Sequence, residues 1–203
     1  MEDAFINHIL SLYHDKNWPD ILKLNIHHSN EKAHSLLWVW PSKENLLFIK
    51  NVAEKYNLKG ITSIGCGSGM FEWLLQQCTG IPVCGVEIDE SWWSSKYAKY
   101  KFIPLQFTRM PPNEDILPAN HALLFCYFNN GPAFKQYIQQ YRGRLVFILG
   151  PGPGRGTLTN PEPFAADFGT AEWILIDDQE VKDTKDFIAV YTRRHASPSP
   201  VDR

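Results

Sequence analysis

The sequence predicts an α/β fold: a doubly wound, seven-stranded sheet with an antiparallel last strand, and additional helices at the N-terminus. From residue 61 onward, short apolar runs alternate with longer amphipathic segments, which is typical of a parallel sheet covered by helices. The last two apolar runs are joined only by DDQEVKDTK, which is too short and too polar for a helical crossover. These two strands are therefore expected to pair as an antiparallel hairpin.

The region before this alternation predicts helices. Residues 2–13 carry apolar side chains at helical spacing, and Trp18-Pro19 interrupts that pattern. An apolar, histidine-rich stretch follows. A longer amphipathic helix is then expected, with Ser42 as its N-cap and Gly60 as the residue that stops it.

The remaining sequence predicts the elements of the sheet. Strands are expected at residues 61–64, 83–86, 102–105, 122–127, 145–149, 173–176 and 187–191. Helices are expected between the early strands, at about residues 70–78, 91–100 and 132–141.

A single main domain is expected, because a chain of 203 residues can enclose a sizeable core. We predict an N-terminal helical extension and cap over residues 1–58 and a sheet domain over residues 59–193. The tail over residues 194–203 is rich in proline and serine, a composition that predicts disorder.

Composition argues against several classes of partner and location. Twenty basic and 22 acidic side chains leave a formal net charge of −2, so nucleic acid is not indicated as a partner. No apolar stretch approaches the roughly 20 residues that cross a bilayer, so no membrane partner is indicated. The acidic start is unlike a secretory signal and the four cysteines form no CxxC pair, so a cytoplasmic or nuclear location is expected.

No metal site is predicted. His27 and His28 are adjacent and His34 follows, but a metal would need a further ligand in open geometry, and nothing such as HExxH supplies it. Surface or packing roles are expected for these histidines. The alternative is a base contributed by a lid over a bound ligand.

The most informative segment is ITSIGCGSGMFEWLLQQCTGIPVCGVEIDE, in which a glycine-rich turn joins a buried strand to a helix. Gly65, Gly67 and Gly69 permit positive φ and remove the β-carbons that would keep a ligand away from the backbone. The next strand ends at Glu87, whose carboxylate is suited to accept hydrogen bonds from two ribose hydroxyls. This pattern predicts a nucleoside or amino-acid ligand, and a tight turn that binds nothing is the alternative.

The spacing of the glycines distinguishes between nucleoside ligands. Dinucleotide-binding enzymes use GxGxxG, in which the third glycine lets the helix pack closely beneath a pyrophosphate. Here the third glycine is Gly69 and Met70 follows it, so the pattern is GxGxG. Met70 therefore disfavours an NAD-linked dehydrogenase.

These residues resemble the class I S-adenosylmethionine-dependent methyltransferases. Their first motif, typically an acidic residue followed by x-GxGxG, matches residues 63–69, and the acidic residue that ends their next strand matches Glu87. The terminal hairpin is also like theirs, and the resemblance covers residues 61–192. It implies a Rossmann-like fold, a methyltransferase-like domain over residues 59–193, and S-adenosyl-L-methionine as cofactor.

A narrower resemblance is to a poorly characterised methyltransferase-like group, and rests on residues 38–41, 127–132 and 141–143. In that group the second segment commonly contains a tryptophan, two prolines and a tyrosine, and this chain departs from that pattern. A second departure is Ser63, which stands at the usually acidic position of the first motif. Serine supplies no negative charge to the ammonium group at the cofactor's methionine end.

The resemblance implies a set of cofactor-binding residues: Ser63, Gly65, Cys66, Gly67, Gly69, Glu87, Ile88 and Asp115. Asp115 is included because the family often places a carboxylate or a neighbouring amide against the adenine after the third strand. A helix-capping or solvent-exposed role is the alternative for Asp115.

Catalytic residues are sought at the end of the fourth strand, which the resemblance places beside the transferred methyl group. Because methyl transfer depends mainly on holding the reactants in line, aromatic side chains can wall the site and an asparagine can orient an amine or hydroxyl acceptor. Tyr127, Asn129 and Asn130 are the candidates. The alternative is that Tyr127 and Phe128 are core residues and that Asn130-Gly131 is only a turn.

Two functions remain open. The first is a methyltransferase that transfers a methyl group from S-adenosylmethionine to an unknown acceptor. The second is a catalytically inactive methyltransferase-like protein that senses the cofactor or binds a protein partner. Ser63 and the altered loop after the fourth strand favour the second.

Overall fold

Helices and strands alternate along most of the chain. A computed structural model describes residues 4–24 and 31–194. The helices are Ala4–His14 (α1), Trp18–Lys23 (α2), Glu31–His34 (α3), Lys43–Lys55 (α4), Met70–Thr79 (α5), Glu90–Trp93 (α6) and Gly131–Gln140 (α7). The strands are Gly60–Ile64 (β1), Val83–Glu87 (β2), Leu105–Phe107 (β3), His121–Cys126 (β4), Leu145–Pro151 (β5), Trp173–Val181 (β6) and Asp186–Arg193 (β7).

The strands form one seven-stranded sheet in the order β3-β2-β1-β4-β5-β7-β6. The first five strands are parallel to one another, whereas β7 is antiparallel to both β5 and β6. This arrangement confirms the predicted doubly wound sheet and the antiparallel hairpin at its end. The strand order reverses between β1 and β4, which are neighbours in the sheet although β2 and β3 separate them in sequence.

Two apolar clusters cover the two faces of the sheet. Alternate side chains of the central strands enter opposite clusters, because successive residues of a strand point to opposite faces. Leu124 and Phe147 pack on the face that carries the N-terminal helices and α5. Phe125 and Ile148 pack on the face that carries α7. Because both faces are covered, the central strands are apolar along nearly their whole length.

The N-terminal helices share a core with the sheet. Ile9 of α1 and Ile21 of α2 are fully buried in the same cluster as Leu74 of α5. The hydroxyl of Tyr13 donates to the carbonyl of Phe102 at 3.1 Å, which ties α1 to the connection that leads into β3. The N-terminal region therefore packs on the same face of the sheet as α5.

Local capping explains where two helices begin. Trp18-Pro19 was expected to interrupt the helical pattern, and Pro19 lies in the first turn of α2, where its missing N–H is not needed. The α4 helix begins at its predicted cap: Ser42 Oγ accepts from Asn45 N–H at 3.2 Å, and Asn45 Oδ1 accepts from Ser42 N–H at 2.9 Å. Gly60, the predicted stop, is instead the first residue of β1.

The predicted third strand was wrong. It was expected at residues 102–105, whereas β3 is Leu105–Phe107. Pro104 has no N–H to donate to a neighbouring strand, so pairing begins only after it. Phe102 is buried all the same, and its N–H donates to the carbonyl of Ser68 at 2.8 Å. Its burial comes from packing beside the glycine-rich turn, which explains the apolar pattern.

The predicted helix at residues 91–100 was also wrong, because α6 covers only Glu90–Trp93. Beyond it, Ser95 Oγ accepts from the N–H of Tyr97 at 3.2 Å. A serine that bonds to its own neighbouring backbone competes with helical hydrogen bonds, which accounts for the early end of the helix. The residues that follow form a loop.

The final hairpin is longer than predicted. Strand β6 continues to Val181, well into the polar segment DDQEVKDTK that was expected to connect the two strands, and β7 begins directly after that segment at Asp186. Because β6 lies at the edge of the sheet and is largely exposed, it needs no apolar alternation, and its pairing with β7 is carried by the main chain.

Some predictions lie outside the described residues: His27, His28 and all but the first residue of the predicted tail. Among the helices that the structure describes, none combines the length and the apolar character needed to cross a membrane.

Candidate functional site

The glycine-rich turn lies at the point where the strand order reverses. It follows β1, and the connection that begins at Tyr127 follows β4, so both leave the same edge of the sheet. Gly65, Gly67 and Gly69 all have positive φ, at 66°, 61° and 77°. Open α/β sheets bind their ligands in the crevice at such a reversal. The predicted turn is therefore in the position where a ligand is expected.

Gly67 and Gly69 differ in what surrounds them. A β-carbon at Gly69 would overlap the side chain of Ile103, so α5 can begin at this point only without a side chain. A β-carbon at Gly67 would meet nothing within 4 Å. Gly67 faces a cavity, and the turn presents bare main chain to it.

The larger of two cavities at the turn has a volume of about 550 Å³. Pockets for small ligands commonly measure about 300–1,000 Å³. Ser68 Oγ donates to the carbonyl of Leu36 at 2.9 Å, which joins the turn to the N-terminal wall of the cavity. The wall is formed by Ile6 and residues 34–38, 65–68, 70–72, 92–93, 97–100 and 126–127.

A smaller cavity of about 130 Å³ is also bordered by Gly65. Glu87 contributes to its wall together with apolar side chains that include Phe128 and Tyr137. The Phe128 ring lies directly on the turn, because a β-carbon at Gly65 would be only 2.9 Å from its Cδ2 atom. The two cavities therefore adjoin at Gly65, with Phe128 beside them.

Glu87 points toward the turn. Its Oε1 atom accepts a hydrogen bond from the N–H of Gly67 at 2.7 Å, and the indole of Trp93 also donates to its carboxylate. Burial raises the pKa of the Glu87 carboxyl, and these hydrogen bonds oppose that rise. The carboxylate at the end of β2 is thus held against the glycine backbone and away from bulk water.

A second carboxylate, on Glu72 of α5, lies next to the turn and was not predicted as a site residue. Glu72 is 1% exposed, and Ser63 Oγ donates to its Oε1 atom at 2.6 Å. Its Oε2 atom has no hydrogen-bond partner among the described residues. Burial raises the pKa of this carboxyl to about 7, which the Ser63 hydrogen bond opposes. Glu72 borders the larger cavity.

A sequence signal for Glu72 existed. It is the single charged residue of α5, whose surrounding positions include the buried Phe71 and Trp73. A charged side chain on the buried face of a helix is unusual unless it is paired, so it is a candidate for function. The glycine motif itself covers only residues 63–69 and so does not include Glu72, the partner of Ser63 on the next helix.

Stacked aromatic rings form another wall of the larger cavity. Trp38 stacks on Tyr127 with ring centroids 5.6 Å apart, and His34 stacks on Trp38 at 5.1 Å. The backbone of Tyr127 has a positive φ of 50°, which is uncommon for a residue with a side chain. The N-terminal segment thus meets the end of β4 across the cavity.

The hydroxyl of Tyr127 is already bonded. It donates to the buried carboxylate of Asp186 at 2.7 Å, and Arg155 Nε donates to the same carboxylate at 3.2 Å. Burial and the Asp186 carboxylate raise the pKa of the Tyr127 hydroxyl. Tyr127 therefore remains protonated near neutral pH and offers the cavity an aromatic wall.

The other predicted catalytic residues also have structural roles. Asn130 caps α7, since its Oδ1 atom accepts from the N–H of Ala133 at 3.1 Å, and it borders the smaller cavity. Asn129 pairs through its backbone with Asn160 in an isolated bridge. Neither arrangement tests catalysis, so the catalytic role of these residues stays a prediction.

The remaining predicted cofactor-binding residues are dispersed. Cys66 borders the larger cavity, and exposed Ile88 borders the smaller one. Asp115 lies in a short 3-10 helix, is exposed, and accepts from Asn113 Nδ2 at 3.1 Å. The structure thus brings the turn and the end of β2 together at the cavities, and places Asp115 in neither.

Metal binding finds no support in the described part of the chain. No group of three or more histidine, cysteine, aspartate or glutamate side chains there is arranged to hold a metal ion. The free cysteines that border the larger cavity, Cys66 and Cys126, are half-buried, and burial raises the pKa of each thiol. They are therefore protonated at neutral pH.

Comparison with known proteins gives structural matches. No family model matches the sequence, and no curated protein matches it. MtNAS in complex with MTA and tNA is 14% identical, with 96% of this chain and 79% of that chain covered and a TM-score of 0.55. A mutant of MtNAS in complex with S-adenosylmethionine is 14% identical, with 96% and 81% covered and a TM-score of 0.53. An RNA methyltransferase from Salinibacter ruber in complex with S-adenosyl-L-homocysteine is 13% identical, with 79% and 95% covered and a TM-score of 0.46.

The strand order 3-2-1-4-5-7-6, with an antiparallel seventh strand and helices on both faces, decides the architecture. The chain has the class I methyltransferase fold. This confirms the fold that the sequence resemblance implied. Because the match to MtNAS covers 96% of the chain, the N-terminal helices fall within the shared architecture.

Proposed function

We propose that the chain binds S-adenosylmethionine at the carboxyl ends of β1, β2 and β4 and transfers its methyl group to an acceptor. The observation that carries this proposal is the pair of cavities that adjoin at Gly65, each bordered by one buried or half-buried carboxylate. Such a site suits a ligand with two different halves, one a nucleoside and the other charged.

The smaller cavity and its adjacent carboxylate have the chemistry that the adenosine half needs, although the cavity must widen to hold it. Glu87 can accept hydrogen bonds from the ribose hydroxyls, and the apolar wall can cover a base. A cavity of about 150 Å³ holds a single benzene ring, so 130 Å³ is too small for a purine. The Phe128 ring must therefore shift when an adenosine group binds.

The methionine half fits the larger cavity, which lies on the other side of Gly65 and leaves space beside Gly67. MtNAS, which shares this architecture, has been crystallised with S-adenosylmethionine, and this supports the assignment of the ligand. The bare main chain at Gly67 and the buried carboxylate of Glu72 are features of this chain that suit the same ligand.

When bound, the cofactor would supply a methyl group on a positively charged sulfur. The chain's own contribution is to hold the reactants in line and to exclude water. The stacked rings of His34, Trp38 and Tyr127 wall the cavity beside the end of β4, where an acceptor can enter. Burial and Asp186 keep Tyr127 protonated, so Tyr127 acts as a wall and cannot serve as a general base. An acceptor that must lose a proton would therefore release it to water.

Titration calorimetry with S-adenosylmethionine tests the binding half of the proposal. Gly67→Arg should abolish binding because the new side chain enters open space in the cavity. Gly67→Ala is its matched control: it carries the same positive-φ strain, of about 1–2 kcal/mol, without filling the cavity. Glu87→Gln should weaken binding roughly tenfold or more, since a charged acceptor is lost.

The surface variant Glu162→Gln, at an exposed position, should bind as the wild type does. No binding by the wild-type chain at millimolar cofactor would contradict the proposal. Equal binding by Gly67→Arg would show that the ligand site lies elsewhere.

The alternative function is a cofactor-binding protein without methyl transfer. It is favoured by the engagement of all three predicted catalytic residues in structural contacts: Tyr127 with Asp186, Asn130 with the start of α7, and Asn129 in its backbone bridge. Incubation with S-adenosylmethionine and panels of amine, hydroxyl and thiol acceptors separates the two functions. Formation of S-adenosylhomocysteine supports transfer, and binding without product supports a sensor.

A further inference from the structure

The buried Glu72 carboxylate has no evident role in holding the fold together. Its Oε1 atom receives the hydroxyl of Ser63, but its Oε2 atom has no hydrogen-bond partner among the described residues. A buried polar group without a partner lowers stability, and a buried charge lowers it more. A glutamine or an apolar residue would fill the same position on α5 at lower cost. A carboxyl group at this position is therefore better explained by a role in function than by a role in stability.

Glu72 borders the larger cavity near the ends of two neighbouring strands. Its charge raises the pKa of the thiols of Cys66, which follows β1, and of Cys126, which ends β4, in addition to the effect of burial. Both cysteines border the larger cavity, as Glu72 itself does. Together with the hydrogen bond from Ser63, this places the carboxylate close to the ends of the neighbouring strands β1 and β4.

The rest of the cavity wall also suits a positive charge. Aromatic rings of Tyr127 and Trp93 also line it, and a ring face that no other ring covers attracts cations. A ligand cation between these rings and Glu72 would replace the missing partner of the carboxylate. Glu72 would also supply to this cation the negative charge that Ser63, near the end of β1, lacks.

We propose that Glu72, held in place by Ser63, is the anionic anchor of the larger cavity and binds the positively charged end of the ligand. This inference rests on the proposed binding of S-adenosylmethionine, and it assigns the charge recognition to a residue on α5. Two groups of that ligand carry positive charge, the ammonium and the sulfonium. Ser63 is a positioning residue in this arrangement, because it fixes one carboxylate oxygen and leaves the other for the ligand.

The proposal predicts that binding is linked to pH. Because burial raises the pKa of Glu72 to about 7, a bound cation must drive off its proton at lower pH. Affinity is expected to fall about tenfold between pH 8 and pH 6. The other titratable groups that face Glu72 are Glu87, Cys66 and Cys126.

The isosteric variant Glu72→Gln tests the proposal by calorimetry with three ligands. S-adenosylmethionine carries both cations, S-adenosylhomocysteine carries only the ammonium, and 5′-methylthioadenosine carries neither. Glu72→Gln should weaken binding of S-adenosylmethionine by about 10- to 100-fold at pH 8. Binding of 5′-methylthioadenosine should change less than about threefold. An equal loss for S-adenosylhomocysteine identifies the ammonium as the bound cation, and an unchanged affinity identifies the sulfonium.

The pH dependence gives a second readout. The decrease in affinity from pH 8 to pH 6 should disappear in Glu72→Gln, whereas the exposed control Glu162→Gln should retain it. The cavity wall also contains His34 and Lys99, and both remain in Glu72→Gln, so any pH dependence that persists there belongs to another group.

A rescue variant separates charge from packing. Ser63→Asp combined with Glu72→Gln returns one carboxylate to the same place from β1 and should restore part of the lost affinity. Melting temperatures establish whether each variant is folded, and Glu72→Gln alone decides the question if the double variant does not fold. Equal binding of S-adenosylmethionine by the wild type and Glu72→Gln would overturn the inference. A wild-type chain that binds none of the three ligands would overturn the proposed function as well.

Discussion

At the scale of single residues, Phe128 limits the space available for a base. Its ring lies on Gly65 and makes edge contacts with Phe125, at a centroid distance of 5.2 Å, and with Tyr137, at 6.5 Å. A ligand that needs this space must displace the ring, and the free energy of that displacement lowers the apparent affinity. The half-buried position of Phe128 leaves room for such movement.

Phe128→Leu tests this limit. A smaller side chain should lower the free energy of unfolding by about 1–2 kcal/mol, since it gives up edge contacts with two aromatic rings. It should also raise the affinity for adenosine severalfold, because less apolar volume has to move. Calorimetry with adenosine and chemical denaturation measure the two effects. Weaker adenosine binding would instead show that the Phe128 ring itself stacks on the base.

The candidate site was partly predictable, because its backbone conformation depends on residue types that can be recognised in the sequence. Gly65, Gly67 and Gly69 indicate positive φ, and Glu87 is recognisable as the acidic last residue of an otherwise apolar strand. Glu72 could not be placed in the same way, since its contact with Ser63 depends on how α5 packs across the sheet. A sequence motif records neighbours along the chain, and this pair forms only in the folded structure.

At the scale of elements, apolar side chains predicted strands well only where both faces of the sheet are covered. The central strands β4 and β5 lie where they were expected, because burial on both faces favours nearly continuous apolar residues. The edge strands β3 and β6 differ from prediction. Pro104 delays the start of β3, and β6 continues through polar residues that its exposed position tolerates. Main-chain pairing at an edge leaves little trace in side-chain pattern.

Asn45 connects two elements that are distant in sequence, the start of α4 and the edge strand β6. Besides its part in the cap with Ser42, its Nδ2 atom donates to Gln179 Oε1 at 2.8 Å and to the carbonyl of Glu180 at 3.0 Å. The side chain is only 3% exposed. The Asn45 side chain therefore provides hydrogen-bond partners both to the start of a helix and to a strand, at a position that is buried from water.

Asn45→Ala should destabilise the fold more than replacement of an exposed polar residue does. It removes the cap and leaves the carbonyl of Glu180 without a side-chain donor, so we expect a loss of about 2–3 kcal/mol. For a chain of this length the melting temperature should fall by roughly 4–12 °C, measurable by circular dichroism. Asn113→Ala is the matched control, since it removes an exposed cap of a short 3-10 helix and should shift the melting temperature by less than about 3 °C. Similar shifts for both variants would contradict the connecting role of Asn45.

At the scale of the whole molecule, the larger cavity draws its wall from segments that are far apart in sequence. The N-terminal segment, the glycine-rich turn, the loop after β2 and the end of β4 all contribute. Such a site exists only when the complete fold is assembled. It also contains Glu72, so the free energy of unfolding of the whole chain is coupled to the protonation of one cavity residue.

This coupling has a definite sign. Burial raises the pKa of Glu72 to about 7 in the folded chain, against an ordinary value of 4.5. Below pH 4.5 the group is protonated in both the folded and the unfolded state, so it carries no penalty. Between pH 4.5 and 7 the unfolded chain releases the proton while the folded chain keeps it, so stability falls as the pH rises. Above pH 7 both states are ionised and the contribution is constant.

The expected result is a difference between the wild type and Glu72→Gln that depends on pH. The free energy of unfolding of the variant, relative to the wild type, should increase by about 3 kcal/mol between pH 4.5 and pH 7 and then level off. Urea denaturation across this range measures it, and Glu162→Gln should run parallel to the wild type. The titration of Glu87 contributes to both chains and largely cancels in the difference. A difference that does not vary with pH would mean that the Glu72 carboxyl ionises as an exposed group does, and that its Oε2 atom already has a partner in solution.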